Sequence, residues 1–455
     1  MPHELPLTTT LLFAALLGAM VLALALEEKL HAKKSVITGV FAVIALGMGT
    51  AFGILPFGEV ILPNGQAWEM PVYIPAIDWQ VVAIILGSSL FIDVVSRSGI
   101  FSWTAIELTR LSKGDPLRLL VFYAVLTVVF SAVLNNVTAM IIVGSLSAVS
   151  LGKLDRKDLL LAFLLTEGLL TNIGGLLTLI SSVPNIILGN AAGIPFVDFF
   201  LRAGPYAVVA TAMTVVMAAW LFGIRPLTDQ AERLAAERQV RSFDSSDGID
   251  SPGFFALSWG LLAAFILTIA TTSVLPGVSQ LGMGFVAMAF AIFATLKYKD
   301  QVDKNYAAMD WDLLFFFMFL FVVINVMEHA MVLDLLGQGI GELLAMGDVL
   351  GGAGLLLSSA LASSVTDNVP LAAVMGKILD AQQVPTDSHL WWCTIFGTNL
   401  GGNFTPIGSA STVVAVAIIH KHGLKLSFLD FVRKALPFAI AQVALALVYV
   451  LVFLR

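Results

Sequence analysis

Runs of about twenty mostly apolar residues recur from one end of this chain to the other, and a run of that length matches the bilayer hydrocarbon core when coiled as a helix. Continuous runs occupy 7–26, 36–55, 79–97, 204–224, 253–273, 280–297, 311–330 and 436–454. Little of the 455-residue chain is left for a water-exposed domain, and 58% of it is hydrophobic against 12% charged. That balance excludes a soluble globular protein and predicts an all-α polytopic membrane protein. Nucleic-acid binding has no basic patch to rest on. The single cysteine, Cys393, excludes an intrachain disulfide and a clustered-thiolate metal site. Residues 7–26 lack a basic leader and end in Glu27-Glu28-Lys29, so they read as a retained first helix rather than a signal peptide.

Four further apolar stretches are interrupted by polar residues. Residues 117–151 contain Leu134-Asn135-Asn136-Val137-Thr138, and 350–382 contain Thr366-Asp367-Asn368-Val369-Pro370. Residues 158–190 break at Thr171-Asn172-Ile173-Gly174-Gly175, and 390–419 at Thr398-Asn399-Leu400-Gly401-Gly402. Non-helical backbone at membrane depth is tolerated only where protein or a water-filled cavity satisfies it, so four breaks imply an internal site.

Charge placement decides what each break is. The first stretch is basic at both ends, with Lys113 and Arg118 before it and Lys153, Arg156 and Lys157 after it. Both ends therefore belong on the cytoplasmic side, and 117–151 is a re-entrant hairpin. Residues 334–350 carry Asp334, Glu342 and Asp348 without Lys or Arg, so the 350–382 hairpin opens to the other side. The two Asn-Gly-Gly stretches join opposite sides and read as broken spanning helices. With ten crossings and both termini outside the cytoplasm, all of the 24 Lys and Arg residues except Arg202, Lys377 and Arg455 fall on cytoplasmic segments. Residues 225–252, rich in charge and serine, read as a solvated cytoplasmic linker between a first repeat, 1–224, and a second, 253–455.

Internal self-comparison carries the most information. Asp78-Trp79 recurs as Asp310-Trp311, 232 residues on, and in the same register Ser131, Val133, Asn136 and Val137 meet Ser363, Val365, Asn368 and Val369. At an offset of 227, Thr171, Asn172, Gly174, Gly175, Thr178, Ile180 and Ser182 meet Thr398, Asn399, Gly401, Gly402, Thr405, Ile407 and Ser409. Each half holds an odd number of crossings, so the second copy is inverted. Inverted-topology repeats with discontinuous helices are an architecture of secondary transporters, with the site near the midplane. The glycine pairs suit close backbone approach to a ligand or, alternatively, close helix packing.

The motifs Thr171-Asn172-Ile173-Gly174-Gly175, Thr178 to Asn185, Asn399 to Ser409 and Thr366 to Pro370 resemble those of the ion transporter superfamily, and within it arsenite efflux permeases and related sodium/proton antiporters. The resemblance spans essentially the whole chain. It implies a transport domain holding the hairpins and broken helices that moves against a scaffold domain in an elevator-like cycle, often in a homodimer. It also implies a substrate site built from Asn135, Asn136, Asn172, Thr178, Asn185, Asn368, Asn399, Thr405 and Ser409, with Asp367 among them. Neither tip reads Ser-Asn-Thr, as the di- and tricarboxylate branch usually does, and the first tip has Asn135-Asn136 where the sodium/proton branch is acidic.

An intramembrane carboxylate is a functional candidate because ionising it in hydrocarbon is unfavourable. Asp367 at a hairpin tip and Glu167 on a broken helix are the expected proton-coupling groups, although Asp367 could instead bond local amides in its turn. Asp93 and Arg97 are spaced as a helical pair. Glu328 and His329 are assigned to the outer end of a helix, and Phe315-Phe316-Phe317 and Trp391-Trp392 to the lipid face or interface. No nucleotide-binding loop appears, which excludes intrinsic ATP hydrolysis and leaves a soluble ATPase as a compatible partner.

The leading expectation is a plasma (inner) membrane antiporter that expels undissociated arsenic(III) or antimony(III) hydroxide in exchange for protons. It would use no cofactor, hold the solute by Asn, Thr and Ser, and contact lipid but no nucleic acid. Sodium/proton antiport, with sodium as coupling ion, is the alternative. A carboxylate transporter comes third, because no basic residue falls at either predicted site. A metal requirement stays open, and an intramembrane hydrolase built on Ser181 or Ser182 lacks a nearby histidine in sequence.

Overall fold

Both halves start a membrane helix in the same way. The Asp78 side chain accepts from the amides of Gln80 and Val81 at 3.0 and 3.1 Å, and Asp310 accepts from Leu313 at 3.0 Å. The tryptophan that follows donates its indole N–H five residues back, Trp79 to Ile74 and Trp311 to Tyr306. An acidic N-cap satisfies helix amides that would otherwise lack partners. The repeat in sequence is thus a repeat in local structure.

A computed structural model describes residues 5–56, 59–61, 65–246, 248–307 and 309–455. Apart from a small antiparallel pair, Glu59–Ile61 with Ala67–Glu69, its regular structure is helical. Among the described residues twelve helices are long and apolar enough to cross a membrane. Three of them, Pro116–Val133, Asn136–Lys153 and Asp348–Val365, are hairpin limbs, while the shorter His389–Gly401 and Ala410–Lys421 together make one broken crossing. Ten crossings result, as the charge pattern requires.

The hairpin tips share a backbone. Leu134 and Asn135 are both extended, as are Thr366 and Asp367, and the second residue of each pair caps the returning limb. Asn135 accepts from Thr138 N at 2.8 Å and Asp367 from Val369 N at 3.0 Å. Pro370 sits in the first turn of Asn368–Ala381, where its missing N–H leaves no intrahelical bond unmade.

Carbonyls freed at these breaks are satisfied by the broken helices, in duplicate. Thr178 donates to Ala132 O and Thr405 to Ser364 O, each at 2.6 Å. In the other direction Ser131 donates to Thr171 O and Ser363 to Thr398 O, again at 2.6 Å. The contact is tight because the broken helix presents glycine to the hairpin. A Cβ on Gly174 would lie 2.7 Å from that of Ser131, and one on Gly401 would lie 2.6 Å from that of Ser363. At these two positions the glycines therefore serve close helix packing rather than ligand approach.

Contacts along the chain show that the hairpins open in opposite directions. Phe222, at the end of Phe196–Leu221, stacks on Phe438, midway along Phe428–Tyr449, while Tyr449 at the end of the latter donates to Arg202 O in the first turns of the former, so these two helices are antiparallel. Asp115, at the mouth of the first hairpin, accepts from Leu227 N at 2.9 Å, on the Phe222 side. Asp348, at the mouth of the second, meets Arg455 on the opposite side.

Several expectations are corrected. The segments before each hairpin are helices, Ile100–Ser112 and Val332–Ala345, each entered through a left-handed residue, Gly99 (φ 82°) and Met331 (φ 61°). They are too short to cross a bilayer and give no spanning-length signal. The solvated linker contains the helix Gln230–Arg241, and Val240 and Phe243 are buried. Trp391 and Trp392 are buried rather than lipid-facing, as are Phe316 and Phe317, and of the three phenylalanines only Phe315 is exposed. The tryptophans pack inside because the broken helix His389–Gly401 is buried along its whole length, and the two phenylalanines because Trp311–His329 packs against neighbouring helices such as Lys34–Ala51.

Candidate functional site

The two broken helices meet at the middle of the molecule through a lattice of buried amides and hydroxyls. Asn172 donates to Ser409 Oγ at 3.0 Å, and Ser182 donates to Asn399 Oδ1 at 2.7 Å. These pairs are repeat equivalents of one another, since Asn172 corresponds to Asn399 and Ser182 to Ser409. A reciprocal pair of this kind is the signature of a two-fold axis. Around it, Asn172 also donates to Asn403 Oδ1 and accepts from Asn136 and Ser411, while Asn399 donates to Asn185 Oδ1 at 2.8 Å. The lattice runs outward through Asn403 to Gln442 and Thr214. Fully bonded buried networks of this kind favour one arrangement, because any member left alone is costly in a low-dielectric interior.

Beside the lattice lies a cavity of about 550 Å³. Its wall brings both hairpin tips together, with Asn135, Asn136 and Thr138 from one and Asp367 and Asn368 from the other. Ser181, Ser182, Ser409 and Ser411 come from the broken helices, other helix ends add Glu27, Lys34, Asp93 and Asp312, and the middle of Trp79–Ser96 adds Ser88 and Ser89.

Of the residues expected to hold substrate, Asn135, Asn136, Asn368 and Ser409 reach this cavity together with Asp367. Asn172 and Asn399 are fully buried behind it and braced by each other's repeat. Thr178 and Thr405 bond the hairpin limbs, and Asn185 donates to Gly175 O and Thr178 O at 2.6 and 2.9 Å. The structure does not bring these five to the cavity wall. Glu167 is also away from it, buried on the other face of its helix with Ser147 as hydrogen-bond donor and its Oε2 atom unpartnered. Ser181 donates to backbone carbonyls and Ser182 to Asn399, so neither is paired with a base.

The expectation that no basic residue reaches the site is overturned. Lys34, on the first turn of Lys34–Ala51, forms an ion pair with Asp367 Oδ2. The carboxylate thus caps its own helix with one oxygen and meets an ammonium from a distant helix with the other. Sequence reading missed Lys34 because it sits among Lys29 and Lys33 and looked like one more loop cation. Ser411 and Gln442 were missed for another reason: they carry no break in apolar pattern of their own. Asp93 and Arg97 do form the expected pair, at 2.7 Å, and Glu328 pairs with Lys377 at 3.0 Å.

Comparison with known proteins agrees with this architecture. The sequence profile of the citrate transporter family (CitMHS) matches residues 14–397. A 46 kDa membrane protein of Mycobacterium leprae is 30% identical, the match covering 82% of this chain and 86% of that protein. An uncharacterized transporter of Mycobacterium tuberculosis is 28% identical over the same shares. Among solved structures, the YdaH transporter of Alcanivorax borkumensis, whose topology is described as unusual, superposes with a TM-score of 0.60. It is 14% identical, and the match covers 93% of this chain and 98% of that one.

Proposed function

Since this chain belongs to the citrate transporter family and is a multi-pass membrane transporter rather than an enzyme, we propose that it is a proton-coupled secondary transporter. Its solute is the undissociated hydroxide of arsenic(III) or antimony(III), which it expels, with the proton as coupling ion. The observation that carries this reading is the chemistry of the cavity wall. Where the hairpin tips meet, Asn135, Asn136, Asn368, Ser181, Ser182 and Ser409 offer neutral donors and acceptors, suited to a hydroxyl-bearing solute. The charged lining is Glu27, Asp93, Asp310, Asp312 and Asp367 against Lys34, a balance that opposes a free polyanion.

Asp367 is the coupling group in this reading, with Glu167 behind it. Asp367 is the acid at a hairpin tip on the cavity wall, and its Oδ2 meets Lys34. Asn172 and Asn399 act by holding Ser409 and Ser182 in place. The hairpins and broken helices move as one body past the helices that carry Glu27, Lys34 and Asp93, in an elevator-like cycle within a homodimer. The chain sits in the plasma membrane with both termini outside the cytoplasm, and the cavity opens to the cytoplasm.

A second reading is favoured by one observation. The Lys34 ammonium at the tip, together with the family's description as citrate transporters, suits a carboxylate substrate that displaces Asp367 from Lys34. Proton flux in proteoliposomes challenged separately with arsenite, sodium and citrate separates the readings. Arsenite alone should move protons. A response to citrate alone replaces the solute, and a response to sodium alone makes the chain a sodium/proton antiporter.

A further inference from the structure

The ion pair between Lys34 and Asp367 joins two parts of the fold that each pack mainly on other partners. Lys34–Ala51 packs on Trp311–His329, and Trp79–Ser96 packs on Val278–Thr295, whereas the second hairpin packs on His389–Gly401. The tip of that hairpin enters from the side of Arg455 and reaches across to the basic end of Lys34–Ala51. Any sliding of the hairpins against the other helices must part these two side chains. Both are partly buried, the lysine side chain 24% and the aspartate 15% exposed. Parting a poorly solvated pair without replacing either partner leaves an uncompensated charge, which is strongly unfavourable.

We propose that Lys34 is a positioning residue for coupling. It holds the empty, ionised site in place through Asp367, and the site is released only when a proton, or a ligand bound at the tip, takes over that carboxylate. This rests on the transporter reading and on Asp367 as its coupling group, and it holds whichever solute is carried. The device prevents slip: an ionised, empty carrier cannot cross, because its charge stays tied to a helix that does not travel. Protonation of Asp367 removes the negative charge, the pair dissolves, and Lys34 stays beside Glu27, 3.9 Å away, and near Asp312, which bonds Ser35. The other charges facing the pair are Asp310 and Asp93, the latter held by Arg97.

The test reads the position of the mobile body without any solute. Ile141 lines the cavity from the first hairpin and is half exposed, so Ile141→Cys in a Cys393→Ala background reports whether the cavity is open. In inside-out vesicles, maleimide labelling relative to that of a cysteine placed at the exposed Arg238 position, which cancels the pH dependence of the thiolate itself, should be high at alkaline pH and fall as acid releases the body. Lys34→Met should move that midpoint upward, because a carboxylate without its cation takes up a proton more readily. Lys34→Arg should restore the original midpoint. Asp367→Asn should make labelling independent of pH, and adding Lys34→Met to it should change nothing further.

An unchanged midpoint in Lys34→Met overturns the proposal, as does a shift of equal size in the Asp367→Asn background. Should Lys34→Met not reach the membrane, the double variant, which removes both charges, keeps the comparison with Asp367→Asn available. Absence of arsenite-driven flux would remove the solute assignment while leaving the labelling result intact.

Discussion

At both hairpin tips the chain passes through two extended residues and restarts as a helix under the side chain of the second, Asn135 in one and Asp367 in the other. The cap needs only a hydrogen-bond acceptor, and either residue supplies one. The negative charge at 367 is therefore surplus to the turn. It faces the shared cavity and meets Lys34, whereas Asn135 has no ion-pair chemistry to offer. The difference between Asn135 and Asp367 at the cap position thus separates what builds a hairpin tip from what could couple it to an ion.

The comparison fails completely if the tips do not approach from opposite sides. In a Cys393-free background, cysteine at Lys153, an exposed position at the mouth of the first hairpin, and at Thr386, exposed beyond the second, should label from opposite sides of the membrane. Labelling of both from one side would end the inverted-repeat description.

Next in size is Asp367→Asn, which keeps the cap acceptor and makes the two tips chemically alike. Uphill transport driven by a pH gradient should disappear while protein in the membrane and some solute exchange remain. Wild-type pH dependence in this variant would move the coupling role to Glu167.

Asn172→Ala and Asn399→Ala remove repeat-equivalent members of the buried lattice. Each leaves buried partners unbonded, so a loss of about 1–3 kcal/mol of stability is expected, together with slower transport measured as initial rates. Full transport in both, with only the melting temperature lowered, would assign the lattice to packing. Asn135→Ala tests the neutral tip alone. The lost cap should lower stability by about 1 kcal/mol, read by thermal melting in detergent, and leave the pH dependence of transport where it was.

The smallest effect belongs to Glu328→Gln. Its pair with Lys377 is about half exposed on both sides, and such pairs contribute about 0–1 kcal/mol. Melting and transport should both stay close to wild type, and a large loss of transport would make this second ion pair a latch of the same kind as Lys34 with Asp367.

Much of the architecture was legible in the chain because its causes are local. Apolar run length follows from bilayer thickness, the asymmetry of Lys and Arg orders the crossings, and polar breaks mark where helices stop. The duplicated Asn, Thr, Ser and Gly residues could be read as repeats, and the structure shows duplicated bonds at those same positions. The sequence could not say which of them face a solute. Thr178 and Asn399 carry side chains as polar as those of Asn136 and Ser409, yet they are used to close the backbone and the lattice. Polarity states that a side chain needs a partner inside the membrane and leaves open whether that partner is protein or ligand.

What the sequence determined by itself is therefore an all-helical membrane protein with an inverted repeat and four interruptions, since spacing, periodicity and charge bias act within a few turns of chain. The pairing of Lys34 with Asp367, 333 residues apart, was decided only by the tertiary structure. The same holds for the meeting of Asn172 with Ser409 and of Ser182 with Asn399. These contacts depend on how two inverted halves close around one axis, and no local signal records which residues that closure brings within hydrogen-bonding distance.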